Sequence, residues 1–261
     1  MIEWRGSSMS DDGPRIFGSY ANEHSRFRPG YPSALWDWGI PEDATVVVDL
    51  GCGSGHASLA LAERDLVVVG VEKDSKLREE ASLQASRAGV ELDLVPGSAD
   101  ATGLPDCFAD LVITGDLIHW KNLGEVLPEI HRILQPGGNL LLFWNDRDPE
   151  GHPWLGKFEA LVAFHAGEEG SRKKDFEPDV DLLVGGYFYD FEHQAFIQEL
   201  PMSSEEFVGY ARTLSAVRSA LDAQGLLEFE KALRRMLEEH HGSGMLTLPL
   251  RTEGWRASRR G

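Results

Sequence analysis

The most constraining stretch of this chain is residues 46–59, V-V-V-D-L-G-C-G-S-G-H-A-S-L. Residues 45–50 are β-branched and apolar apart from their ends, with no polar alternation. That pattern predicts a strand covered on both faces, as in a parallel sheet. The strand carries a carboxylate, Asp49, near its end and passes at once into glycines at 51, 53 and 55. Glycine permits positive φ and lets backbone approach a ligand closely. Small residues then open a helix, and a helix N-terminus behind such a turn favours partial negative charge. A buried strand, a glycine turn and a helix in that order imply an open α/β sheet with a ligand at the strand's C-terminal end.

The alternation continues. Strands are predicted at 45–50, 67–71, 92–95, 109–114 and 139–144, with helices at 57–64, 75–88 and 123–134 between them. Gly89 stops the second helix. Pro136-Gly137-Gly138 breaks the third. Beyond residue 146 the periodicity weakens: a helix near 154–166, a charged surface loop at 168–174 and a loosely alternating sixth strand at 188–200. Ser203-Ser204-Glu205-Glu206 is a capping box for a helix running to about residue 223. A further helix covers 226–240, and 247–257 reads as a final strand.

Composition narrows the functional classes. Lys and Arg number 25 against 43 Asp and Glu, a formal net charge of −18. So acidic a chain is a poor match for a polyanionic backbone, which argues against nucleic acid and anionic membrane as partners. Two cysteines, Cys52 and Cys107, are too few for a disulfide scaffold or a Cys-rich metal site, and no metal is expected. The first fifteen residues lack the apolar core of a signal peptide, and the apolar runs have strand length, far below the roughly 18–20 residues of a membrane span. The expected location is the cytoplasm.

The turn also narrows the ligand. Dinucleotide sites use G-x-G-x-x-G, and phosphate loops need G-x-x-x-x-G-K-[ST]. Here the spacing is G-x-G-x-G after Asp-Leu. A carboxylate at that strand end sits awkwardly beside a pyrophosphate and suits a ligand with a cationic amino group.

Residues 46–59 resemble the first signature of the class I S-adenosylmethionine-dependent methyltransferases. Four further segments are similar to that family in the same order. V-V-V-G-V-E, 67–72, looks like its second strand ending in an acid. G-S-A-D-A-T-G-L-P, 97–105, resembles its adenine-side segment. L-V-I-T-G-D-L-I-H-W, 111–120, is similar to the strand and loop beside the methionine half. L-Q-P-G-G-N-L, 134–140, is close to its turn before strand five. R-P-G-Y-P at 28–32 and W-N-D-R-D at 144–148 resemble a branch that includes small-acid and natural-product enzymes.

The resemblance implies a Rossmann-like, doubly wound, mostly parallel seven-stranded sheet with an N-terminal cap and a partly helical lid. It divides the chain into a disordered leader (1–14), a cofactor-covering segment (15–43), the S-adenosylmethionine-binding core (44–148), a lid with a late strand (149–245) and a final strand (246–258). It implies the following roles. Asp49 faces the methionine amino group, and Gly51, Gly53 and Gly55 let the backbone pass the ligand. Glu72, about 20 residues beyond the first glycine, takes the ribose hydroxyls. Ala99 offers its N–H to adenine, with Ser98 and Asp100 beside it. Ser98 stands where the family usually has Asp. Gly115 lies beside the methionine half, and Tyr20 and Arg28 meet the methionine carboxylate. An arginine fork suits that group.

Asp116 and His119 follow strand four at the ligand-binding edge. Each is either the group that takes a proton from the acceptor or a residue ordering the loop. Tyr187, Phe188, Tyr189 and Phe191 are either apolar lining of the acceptor site or core. His240-His241 reads as a solvated helix end. The implied activity is transfer of a methyl group from S-adenosylmethionine to O, N or C of a small molecule or short peptide, by a monomer or homodimer, leaving S-adenosylhomocysteine. Two other readings of the fold remain: an S-adenosylmethionine-binding enzyme of cyclisation or rearrangement, and a non-catalytic binding protein.

Overall fold

The strand signals translate into one seven-stranded sheet. The computed structural model describes residues 21–116, 123–150, 152–167, 186–242 and 244–261. The expected leader, Tyr20, His119 and the charged loop at 168–174 lie outside the described residues.

The N-terminal segment contributes two short helices, α1 (Ala21–Phe27) and α2 (Ser33–Gly39). There follow β1 (Val46–Leu50), α3 (His56–Ala62), β2 (Val67–Val71), α4 (Ser75–Ala88), β3 (Asp93–Val95), β4 (Ala109–Gly115), α5 (Leu123–Ile133) and β5 (Leu134–Arg147). After β5 come α6 (Pro153–Ala166), β6 (Phe188–Met202), α7 (Ser204–Arg212), α8 (Ser215–Ala220), α9 (Ala223–His241) and β7 (Leu246–Arg259). The strand order is β3-β2-β1-β4-β5-β7-β6. β1 to β5 pair in parallel, and β7 runs antiparallel to both β5 and β6.

The continuous valines of β1 and β2 reflect burial on both faces. Val48, Leu50, Val69 and Val71 face a core completed by Val126, Leu127, Ile130 and Ile133 of α5. Val47 and Val68 point the other way, onto Leu35 and Trp36 of α2 and Ala57 and Leu61 of α3. The period of two in a strand divides one run of valines between two cores. A third core joins α6, α7, α8 and α9 through Leu155, Phe158, Phe207, Val217, Phe229 and Leu233, and docks on Leu246, Leu248 and Leu250 of β7. Since Arg147 pairs with Leu250, that end of β7 lies at the C-terminal edge of the parallel strands. The helical unit therefore overhangs the edge where the site forms.

Two boundaries differ from expectation. β5 begins at Leu134, not residue 139: Ala109 pairs with Leu134 before the register shifts around Pro136-Gly137-Gly138 and resumes at Leu111 with Asn139. The helix opened by Ser203 ends at Arg212. Its capping box is present, with the Ser203 hydroxyl accepting from Glu206 N and the Glu206 carboxylate accepting from Ser203 N. Thr213 then donates its hydroxyl to Tyr210 O at 2.6 Å, and Leu214 is extended at ψ 128°, so α8 starts afresh. Side-chain capture of a helix carbonyl competes with continuation.

Candidate active site

β1, β2, β4 and β5 end at one edge, and the turns that follow them meet there. The turn after β1 rests on β2, with Gly51 N donating to Val71 O at 2.8 Å. Gly51, Gly53 and Gly55 have φ of +70°, +56° and +90°. A Cβ on Gly55 would lie 3.1 Å from Cβ of Ala81 in α4, whereas one on Gly53 would meet nothing nearer than 4.0 Å. Gly55 is thus demanded by packing as well as by φ. At Gly53 the left-handed φ alone demands glycine, and the space beside it is open.

Two carboxylates brace this turn. Asp49 is 1% exposed and accepts the Ser58 hydroxyl of α3 at 2.6 Å. Burial pushes its carboxyl up to about 7, against the pull of the Ser58 hydrogen bonds. Glu72, just past β2, is also buried; its Oε2 accepts from Gly53 N at 3.2 Å and its Oε1 from Asp74 N at 2.9 Å. Burial raises its carboxyl above the usual range. The Lys73 backbone N–H also acts on this carboxylate. Cys52 is a buried filler whose sulfur packs where a Cβ on Gly70 would stand, and burial raises its thiol well above the usual value.

After β3, Ser98 and Ala101 exchange both backbone hydrogen bonds in a tight loop, with Ala99 buried and Asp100 exposed. The loop is tied to α5 because Thr102 donates its N–H and hydroxyl to Glu129 Oε1 at 2.8 and 2.5 Å. The hydrogen bond from Arg132 holds the Glu129 carboxyl down to about 2. Ser98, Ala99 and Asp100 thus stand at the same sheet edge as Glu72, on the side of β2 and β3.

β4 ends in Gly115 and Asp116. A Cβ on Gly115 would lie 2.8 Å from both the Tyr31 hydroxyl and the Phe143 ring, so its smallness has a packing cause. Tyr31 stands edge-on to Phe143 at 4.5 Å. Asp116 is at φ +55°, a left-handed conformation uncommon for any residue but glycine and tolerated best by Asn and Asp. Burial pushes its carboxyl up to about 6, in spite of the nearby Arg28.

Between the sheet edge, α1 and the helical unit opens a cleft lined by His24, Arg28, Tyr31, His56, Asp116, Asn145, Arg147 and Tyr210. Its cavity volume is about 70 Å³, smaller than a small-molecule pocket. Arg28 donates Nη2 to Thr213 O at 2.9 Å, while its buried Nε has no hydrogen-bond partner among the described residues. Arg147 grips Glu159 of α6 through Nε and Nη2 at 2.5 and 3.1 Å and donates Nη1 to the Tyr210 hydroxyl at 3.1 Å. His24 Nδ1 lies 3.0 Å from the Ser54 hydroxyl, which lies 3.3 Å from His56 Nδ1. Burial lowers the pKa of both histidines, that of His24 strongly.

The structure therefore gathers Arg28, Asp49, the three glycines, Glu72, Ser98–Asp100, Gly115 and Asp116 along one edge. The donor set fits a ligand that joins a nucleoside to an amino acid: open space beside a left-handed glycine, carboxylates on one side and an unpartnered guanidinium nitrogen on the other. The aromatic candidates do not fit. Phe188 pairs with Arg259 at the opposite end of the sheet, because β6 runs parallel to β5 and begins where β5 begins. Phe188 is buried in the core, Tyr187 and Phe191 pack against it, and none of them borders the cleft. His240 contacts Lys157 Nζ at 2.7 Å, and His241 stands edge-on to Trp154. No cluster of metal-ligating side chains occurs among the described residues.

Sequence reasoning missed His24, Ser54, Ser58, His56, Asn145, Arg147 and Tyr210. Ser54, Ser58 and His56 stand within or beside the glycine signature, and Asn145 and Arg147 within W-N-D-R-D, so their positions were flagged without roles.

Residues 48–142 match the family model described as a methyltransferase domain. An uncharacterized methyltransferase of Mycobacterium tuberculosis is 34% identical over 160 residues, 61% of this chain and 62% of that protein. The chain thus spans about three fifths of the length of the first curated relatives it matches. An uncharacterized methyltransferase of Schizosaccharomyces pombe is 28% identical over 78% of this chain and 80% of its own. A solved structure from Anaeromyxobacter dehalogenans, described as a "Putative Type II Methyltransferase", superposes with a TM-score of 0.54 at 26% identity, covering 89% of this chain and 97% of that one. The glycine turn, the paired carboxylates and the parallel half of the sheet thus lie within the part of the chain, residues 48–142, that is similar to a methyltransferase domain.

Proposed function

We propose that the protein transfers the methyl group of S-adenosylmethionine to O, N or C of a small molecule or short peptide. One observation carries this reading: a turn with three left-handed glycines whose central N–H is held by Glu72, the acid that ends the neighbouring strand. When bound, S-adenosylmethionine supplies an electrophilic methyl group on a sulfonium. Little covalent chemistry is then left to the chain, whose task is alignment.

In this reading Glu72 accepts hydrogen bonds from the ribose hydroxyls. Ala99 N–H, with Ser98 and Asp100, meets the adenine. Asp49 faces the amino group, Arg28 and Tyr20 meet the carboxylate, and Gly115 borders the methionine half. The acceptor occupies the cleft between Asp116 and Tyr210, under the lid formed within 149–245. Asp116, raised by burial, takes a proton from an acceptor hydroxyl or ammonium, with His119 as the second candidate. No helix among the described residues is long and apolar enough to cross a membrane. We place the enzyme in the cytoplasm, as a monomer or homodimer with no nucleic-acid partner.

The test has two steps. Calorimetry with S-adenosylmethionine, S-adenosylhomocysteine and NAD should give binding of the first two alone. Incubation with S-adenosylmethionine and fractionated small-molecule extract should then accumulate S-adenosylhomocysteine in acceptor-containing fractions. Binding of NAD alone would overturn the assignment. A converted acceptor without S-adenosylhomocysteine would instead mark a cyclising or rearranging enzyme.

A further inference from the structure

α1 has seven residues, too few to persist as a helix without support. It is supported from two directions. On one side it meets the glycine turn: His24 Nδ1 contacts the Ser54 hydroxyl at 3.0 Å, and His56 Nε2 donates to Ser25 O at 3.1 Å. Ser54 is 2% exposed and lies between Gly53 and Gly55, the centre of the proposed cofactor turn.

On the other side α1 meets the helical unit. The Glu23 carboxylate receives Arg212 Nη2 of α7 at 2.8 Å and also Arg218 Nη2 of α8. Phe27 fills the space beside Gly209 of α7, where a Cβ would come within 2.5 Å of its ring. The helix that carries Glu23 also leads into Arg28, and α7 carries Tyr210, so both ends of the acceptor cleft hang on this contact. Glu23 itself does not border the cleft.

We propose that Glu23 is a positioning residue: its paired ion bridges make α1 a strap through which occupation of the glycine turn orders α7 and α8 and so pre-forms the acceptor cleft. This rests on the assignment of the glycine turn to S-adenosylmethionine. A segment whose order depends on contacts at both ends couples those ends: a ligand that fixes one has already met the ordering cost when the other engages. By reciprocity, an acceptor seated in the cleft tightens cofactor binding by the same factor.

Hydrogen exchange on the full chain, with S-adenosylhomocysteine as probe, decides it. In the wild type the ligand should slow amide exchange in α7 and α8 by about fivefold or more. In Glu23→Gln the protection of the turn itself should remain, and that of α7 and α8 should fall severalfold, the Arg28–Thr213 hydrogen bond carrying the remainder. Glu23→Asp, which keeps the charge, should restore part of it. Arg212→Gln removes one of the two Glu23 bridges together with the Arg212–Glu230 pair to α9, and serves if Glu23→Gln does not fold; its protection of α7 and α8 should be reduced. Undiminished protection in the charge-neutral variant, or no protection of α7 and α8 in the wild type, overturns the strap alone. Failure of S-adenosylhomocysteine to bind the wild type overturns the functional reading and the strap with it.

Discussion

At the scale of single residues, Glu72 does two things that sequence spacing separated poorly. Its distance from Gly51 pointed to a ribose, but the structure also has it holding two backbone N–H groups, Gly53 and Asp74. Glu72→Ala should therefore weaken S-adenosylhomocysteine binding tenfold or more and also destabilise the ligand-free protein by about 1–3 kcal/mol, the cost of buried donors left unmet. Calorimetry and denaturant titration check the two effects, and unchanged affinity would remove Glu72 from the site. Asp116 carries a pH signature. Its carboxyl ionises at about 6 when folded and near 3.9 when unfolded. The folded protein keeps this proton over a range where the unfolded chain has lost it, so the associated stability is full below about pH 4 and is lost as pH rises through 6. Asp49, raised to about 7, behaves alike over a wider window. Asp116→Asn should thus lose less stability than the wild type between pH 5 and pH 8, by about 1–1.5 kcal/mol. Parallel melting curves for the two proteins across that range would refute a protonated Asp116. Asp49, Glu72 and Asp116 were legible because they stand at strand ends inside recognisable segments. His24 and Ser54 were not, because their contact joins residues 30 apart and leaves no trace in local pattern.

At the scale of elements, the glycine turn separates two reasons for being glycine. Alanine at either Gly53 or Gly55 must accept left-handed backbone, a cost of roughly 1–2 kcal/mol. At Gly55 the new methyl would also press on Ala81 of α4 at 3.1 Å, so the two helices must shift, adding about 1–3 kcal/mol. Gly55→Ala should be clearly the less stable variant in denaturant titration, with Gly53→Ala well folded yet poor at binding S-adenosylhomocysteine. Equal stability losses would contradict the α3–α4 contact. The helices and buried strands flanking this turn were legible because their periodicity is strong and their stops are glycine or proline. The end of α7 was not. What breaks the helix is one threonine hydroxyl turning back to Tyr210 O, and residues 203–223 otherwise keep an amphipathic pattern. Likewise the early start of β5 depends on a register shift against Ala109, a property of the pair of strands and not of either alone.

At the scale of the whole molecule, a sheet with two cores is joined to a helical unit with a third, and the cleft lies along the join. Sequence pattern identified both parts but not their seam, since the residues that form it are charged and sit in weakly periodic stretches. Arg147 at the end of β5 and Glu159 of α6 form a half-buried ion pair in that seam, their side chains 12% and 16% exposed. Burial works against the Arg147 charge, and Tyr210 together with Glu159 more than offsets it, so the guanidinium stays ionised at every accessible pH. Removing one partner leaves the other charge buried without compensation, which costs about 3–5 kcal/mol, whereas replacing both with apolar side chains of similar size is often nearly neutral. Glu159→Ala should therefore unfold at markedly lower denaturant, and the double variant Arg147→Met with Glu159→Leu should recover most of the loss. The same comparison reports on the cleft: the double variant leaves the Tyr210 hydroxyl without the donor that fixes it, so S-adenosylhomocysteine should bind normally while methyl transfer falls. If Glu159→Ala lies within about 1 kcal/mol of the wild type, the pair behaves as a solvated surface bridge. The helical unit would then be held over the sheet edge by the apolar contacts of β7 and by α1, not by charge.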